Sequence, residues 1–92
     1  MSINVRIPTI LRTYTQDQSQ VTAEGTTLTE VLDSLEASFP GIKARVVDEQ
    51  GTLRRFVNIY VAEVDVRFAN GLDTVTPDGA QVSIIPAVAG GS

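Results

Sequence analysis

The chain contains neither cysteine nor histidine. Without cysteine there is no disulfide and no thiol chemistry of its own. Without histidine the usual zinc sites and histidine-based triads are excluded. Any chemistry must therefore use carboxyls, hydroxyls, lysine, arginine or the chain terminus itself. No apolar run is long enough to cross a bilayer, and the N-terminus lacks a signal-peptide pattern. Basic residues are also few, 7 against 11 acidic ones, for a net charge of −4. That balance argues against nucleic acid, whose phosphates call for a basic face. It suits a cytoplasmic protein that docks on partners with basic or apolar surfaces, and no membrane partner is expected.

What is present suits one domain. An apolar fraction of 42% in 92 residues is ordinary for a folded chain with one core. Ile3, Val5 and Ile7 alternate with Ser2, Asn4 and Arg6, the period-two pattern of a half-buried strand that Pro8 ends. Thr9 to Gln20 is mostly polar and reads as a hairpin loop, with Gln20 to Ala23 as the returning strand. Thr26 to Ser38 is predicted as a helix. Thr27 and Glu30 have capping-box spacing, and Leu28, Val31, Leu32 and Leu35 form one apolar stripe. Phe39-Pro40-Gly41 stops it, and Ile42 to Val47 allows a second, short helical turn. Phe56 to Val61 and Val64 to Phe68 read as strands joined by Ala62-Glu63, and Gln81 to Ile85 as the last strand. The first and last strands are both strongly apolar, as expected if they lie side by side at the sheet centre. One helix covers only one face of such a sheet. The expected class is α+β, a mixed sheet with one main helix packed on one face.

The end of the chain differs in kind. Pro86 has no N–H to donate, so it ends the strand's ladder. Ala87-Val88-Ala89-Gly90-Gly91-Ser92 then offers one sizeable side chain, too little apolar surface to offset the entropy of ordering it. The expected division is a domain over residues 1–86 and a flexible tail over 87–92, whose extended reach is roughly 20 Å.

Joined to the strand before it, Pro86-Ala87-Val88-Ala89-Gly90-Gly91 resembles the end of the ubiquitin-like sulfur-carrier proteins of the MoaD and ThiS type. Within that family it is most similar to the carriers of actinobacterial cysteine biosynthesis. Ile7-Pro8-Thr9-Ile10-Leu11-Arg12, Arg55 to Val61, Asp65 to Phe68, Gly71-Leu72 and Asp78-Gly79 extend the resemblance over most of the chain. At Ala62-Glu63-Val64 the chain departs from the family's usual turn, which leaves the turn type open. The resemblance implies the β-grasp fold of ubiquitin. It also implies that Gly91 bears the reacting carboxyl, that Ala87, Val88, Ala89 and Gly90 thread a partner's channel, and that Pro86 takes part in partner binding. Glycine suits that role because it lacks Cβ and accepts backbone angles other residues refuse.

Carriers of this family are co-substrates, not enzymes. An E1-like adenylating enzyme uses ATP to convert the glycine carboxylate to an acyl-adenylate. Sulfide then displaces AMP to leave a thiocarboxylate. The carrier itself binds no cofactor. Implied recipients are a pyridoxal-phosphate-dependent cysteine synthase or a synthase of a thiosugar, thiamine or molybdopterin type. Ser92 departs from the active form, in which glycine is last. Either a metal-dependent JAMM-type protease removes it or it was added during cloning. The rival readings are a ubiquitin-like modifier joined through Gly91 to lysines and a plain interaction module.

Other residues carry weaker signals. Arg54-Arg55 could meet an acidic partner, although a basic pair beside a loop is ordinarily solvated. Asp65 and Arg67, two apart on a strand, would form an exposed ion pair. Glu30, Asp33 and Glu36 read as a solvated helix face, not as a metal or acid–base cluster. Asn58 inside an apolar strand suggests a hydrogen bond to a loop, and Phe56, Tyr60 and Phe68 are docking candidates if they face outward.

Overall fold

The structure, a computed structural model, describes residues 2–55 and 57–86. Five strands, β1 (Ser2–Arg6), β2 (Gln20–Glu24), β3 (Val57–Val61), β4 (Val64–Asp65) and β5 (Gln81–Pro86), form one sheet in the order β2-β1-β5-β3-β4. The first and last strands are central neighbours and run parallel, with Val5 opposite Val82. The other pairs are antiparallel, so the sheet is mixed. Helix α1 (Leu28–Ser38) packs on one face and α2 (Ile42–Val46) follows it closely. This is the expected β-grasp arrangement.

The core follows from the two periodicities. Ile3, Val5, Val21, Ala23, Ile59, Val61, Val82 and Ile84 point to the covered face, and Leu28, Val31, Leu32 and Leu35 of α1 meet them there. Each such aliphatic side chain contributes about 1.5–3 kcal/mol on burial. At the helix start, the Thr27 hydroxyl accepts from the Glu30 N–H at 3.4 Å. The reciprocal half of the box is displaced by one residue. Glu30 Oε1 accepts from the N–H and hydroxyl of Thr26, at 2.9 and 3.0 Å, and α1 begins at Leu28, two residues later than its sequence suggests. Gly25 precedes this cap for a steric reason. A Cβ there would lie 2.7 Å from the Val31 nitrogen and 2.8 Å from Glu30 Cβ.

Three segments depart from expectation. The hairpin loop after β1 contains a 3₁₀ helix, Thr9–Tyr14, because Leu11 turns inward and is 4% exposed. The strand expected over Val64 to Phe68 stops at Asp65, whose carboxylate accepts from the Arg67 N–H at 2.9 Å. That bond turns the chain into a 3₁₀ helix, Val66–Phe68, and lets Val66 bury completely. The turn left open at Ala62-Glu63 is a tight two-residue hairpin. Both residues have positive φ, 51° and 71°, where an L-residue without a short polar side chain is strained.

Candidate functional site

The predicted reacting group and most of its tail, Ala87, Val88, Ala89, Gly90 and Gly91, lie outside the described residues, as do Ser92 and Phe56. What the structure fixes is the root of the tail. Strand β5 is hydrogen-bonded on both sides, to β1 and to β3, and its last residue Pro86 stands opposite Val57. Proline is tolerated there because it closes the ladder. Val82 and Ile84 anchor the strand in the core, at 0% and 3% exposure. The chain thus leaves from a strand that is held by neighbours on either edge, and parallel pairing sends it off at the same end of the sheet as Arg6 and Pro8.

Two sets of residues flank Pro86 at that end. On one side an open depression is bordered by Arg6, Pro8, Ile10, Arg12 and Ser83. On the other, Ile10 and Pro86 again meet Arg45, Arg54 and Val57. Arg54 is oriented by its Nε–H, which donates to the Ala44 carbonyl at 2.9 Å. Arg55 borders the same side with Leu53 and Thr52. Of this group the sequence reading singled out Arg54, Arg55 and Pro86. It missed Arg6, Ile10, Arg12 and Arg45, whose neighbourhood depends on the β1–β5 pairing and on where α2 packs.

The uncovered sheet face is largely polar. Gln20, Arg6, Ser83, Tyr60 and Asp65 form one row across all five strands. Ile85 is the aliphatic exception, 47% exposed beside Asn58. It therefore faces away from the core to which Ile84 belongs. Tyr60 is half-buried on this face, and Phe68 is 87% exposed on the 3₁₀ helix after β4.

The remaining candidates have structural partners. Asn58 Oδ1 accepts from the Arg67 guanidinium, which also donates to the Arg54 carbonyl at 2.8 Å. Asn58 thus bonds the 3₁₀ helix after β4, where its sequence context suggested a loop. The expected Asp65–Arg67 ion pair does not form. Residues 66–68 are not a strand, so the two side chains do not share a face: Asp65 caps the 3₁₀ helix and Arg67 reaches across β3.

Nor is Glu36 simply solvated. It accepts from the N–H groups of Gly41 and Lys43, both at 2.9 Å, and so closes the turn between the helices. The Gly41 and Lys43 bonds hold its carboxyl below the ordinary glutamate range, and the Thr26 bonds do the same for Glu30. Asp33 pairs with Lys43. Among the described residues no group of three or more His, Cys, Asp or Glu could hold a metal ion, and no helix is long and apolar enough to cross a membrane.

Comparison with known proteins agrees with this geometry. The model of the ThiS family matches residues 5–91. Sulfur carrier protein CysO of Mycobacterium tuberculosis is 53% identical over 93 residues, covering 99% of this chain and 100% of that one. Its crystal structure superposes with a TM-score of 0.90 at 51% identity, covering 94% and 99%. A chain of the Amycolatopsis orientalis BexX/CysO complex superposes with a TM-score of 0.91 at 49% identity, covering 97% and 99%. Small archaeal modifier protein 3 of Haloferax volcanii is 38% identical over 65 residues, 71% of this chain and 70% of that one. With 53% identity over nearly the whole chain, a closely superposing fold and a family match that runs through the diglycine, the chain belongs to the ThiS family of ubiquitin-like, β-grasp sulfur carriers.

Proposed function

We propose that this chain carries sulfur as a thiocarboxylate on Gly91 and acts as a co-substrate of partner enzymes, with no catalytic turnover of its own. The observation that carries the reading is the family match through residue 91, in a chain whose last described strand, ending at Pro86, is paired with neighbours on both sides. When Gly91 is the last residue, its carboxylate attacks the α-phosphorus of ATP on an E1-like adenylating enzyme. Pyrophosphate leaves, and an acyl-adenylate forms. Sulfide then attacks the carbonyl carbon, the bond to AMP breaks, and the thiocarboxylate remains. Residues 87–90 thread the enzyme's channel, small enough to pass where a larger side chain would jam.

Ser92 must first be removed, the task of a JAMM-type protease. Similarity to CysO favours a pyridoxal-phosphate-dependent cysteine synthase as recipient, and similarity to a chain crystallised with BexX extends the set to other biosynthetic enzymes, of the thiosugar, thiamine or molybdopterin type. One observation favours a second reading: the likeness to a small archaeal modifier protein raises conjugation through Gly91 to lysines.

Intact mass of the protein from its native host is the test. A species lacking Ser92 in which one oxygen is replaced by sulfur supports the carrier reading, and lysine-linked conjugates support the modifier. Deleting Gly90 and Gly91 abolishes adenylation while the melting temperature stays unchanged. A deletion variant that still accepts AMP or sulfur overturns the assignment.

A further inference from the structure

We propose that the end of the sheet from which the tail departs is a cationic docking surface for a protein partner whose tail-receiving opening is rimmed by carboxylates. The inference rests on the sulfur-carrier reading for the partner's identity, and on charge placement for its chemistry.

The placement is a product of topology. Parallel pairing sets Arg6 beside Ser83 of β5, and the 3₁₀ helix after β1 brings Ile10 and Arg12 to Pro86. From the opposite side α2 and the segment before β3 bring Arg45 and Arg54 to the same Ile10 and Pro86. Ile10 is 66% exposed and stands between the two guanidinium pairs. Four of the chain's 7 basic residues thus surround one apolar spot at the root of the tail.

These charges are not neutralised within the described residues. The Arg12 and Arg54 Nε–H groups donate to backbone carbonyls of Ile7 and Ala44, at 3.2 and 2.9 Å, and a carbonyl fixes a guanidinium without cancelling its charge. Arg6, Arg12, Arg45 and Arg54 make no ion pair with a described residue. The carboxylate bordering these depressions is Asp48, and it already accepts from the Gln50 and Thr52 N–H groups. Glu36 and Glu49 border a further depression with Arg54, and Glu63 shares one with Arg6. The Asp17 N–H donates to the Arg12 carbonyl, while other carboxylates lie toward the far end of the sheet. Glu24 lies opposite Ser2, Asp78 accepts from the Ser2 N–H, and Glu63 sits in the turn after β3.

A net charge of −4 therefore conceals a local cluster of arginines at Ile10 and Pro86. Such a cluster orients an approaching partner with its acidic surface toward the tail root, which raises the rate of productive encounter. Guanidinium groups match carboxylates by paired hydrogen bonds. They stand here in two depressions on either side of Ile10 and Pro86, which fits an extended rim better than one small anion. The apolar centre within a charged surround is also the usual make-up of a protein interface.

The test uses the chain ending at Gly91 and the adenylating enzyme of the same organism. Arg6→Glu and Arg45→Glu are combined, one from each side, since neither side chain makes a hydrogen bond with a described residue. An unchanged melting temperature verifies the fold. We expect the KM for the carrier in ATP–pyrophosphate exchange to rise about tenfold or more at low salt, with kcat nearly unchanged. Raising the salt should raise the wild-type KM and narrow the gap. Equal KM values at every salt concentration overturn the docking surface alone. So does a variant that keeps its KM but loses affinity for a labelled single-stranded oligonucleotide, which would make the patch a nucleic-acid site. A wild-type chain that supports no exchange at any salt overturns the sulfur-carrier reading and this partner with it.

Discussion

The same strands present two different surfaces. On the covered face β1 shows Ile3 and Val5, β5 shows Val82 and Ile84, and β3 shows Ile59 and Val61, all buried. One residue along, the uncovered face shows Asn4, Arg6, Gln81, Ser83, Asn58 and Tyr60, with Ile85 the aliphatic exception. The covered face holds the fold together. The uncovered face and the strand ends carry side chains whose replacement removes no core contact.

Removing volume from the covered side should have the largest effect on stability. Leu32→Ala leaves a cavity under a residue that is 1% exposed, at a cost of about 2–5 kcal/mol measured by urea unfolding. Adding volume on that side comes next. Gly25→Ala forces a Cβ against the helix backbone, and about 1–3 kcal/mol of destabilisation is expected in the same assay.

The uncovered face provides the contrast. Ile85→Ser should change stability by no more than about 0.5 kcal/mol, and a loss near that of Leu32→Ala would break the comparison.

Glu36 sharpens it through pH. Its folded pKa is lowered, chiefly by the Gly41 N–H, so its stabilising contribution is present above the unfolded value of about 4.3. The contribution is lost as the pH falls through the lowered folded value. In Glu36→Gln the melting temperature should decline less steeply over that acid range than in wild type.

Much of this was legible in the sequence. The period-two runs located the central strands, and the stripe from Leu28 to Leu35 located the helix with its covered side. The division at Pro86 rested on the small residues and paired glycines after it, which lie outside the described residues. Glu36 was harder to read. Its spacing on α1 is that of a solvated residue, and its partners at Gly41 and Lys43 exist only because the chain folds back after Pro40. Asp65 and Arg67 misled for a related reason. Alternation predicts a shared face only while the strand continues, and the Asp65 carboxylate ends the strand by accepting from the Arg67 N–H.

The sequence by itself determined the core, the helix and the diglycine-bearing end, because each is a local pattern that an isolated segment already contains. The surface around the tail root was decided by the tertiary structure. Arg6, Ile10, Arg12, Arg45, Arg54 and Pro86 are scattered along the chain, and composition sums their charges with every carboxylate to a net acidic value. Parallel pairing of the first and last strands, together with α2 packed beside them, draws these residues to one end. A sum of charges contains no positions, so only the fold could gather these arginines around one apolar residue.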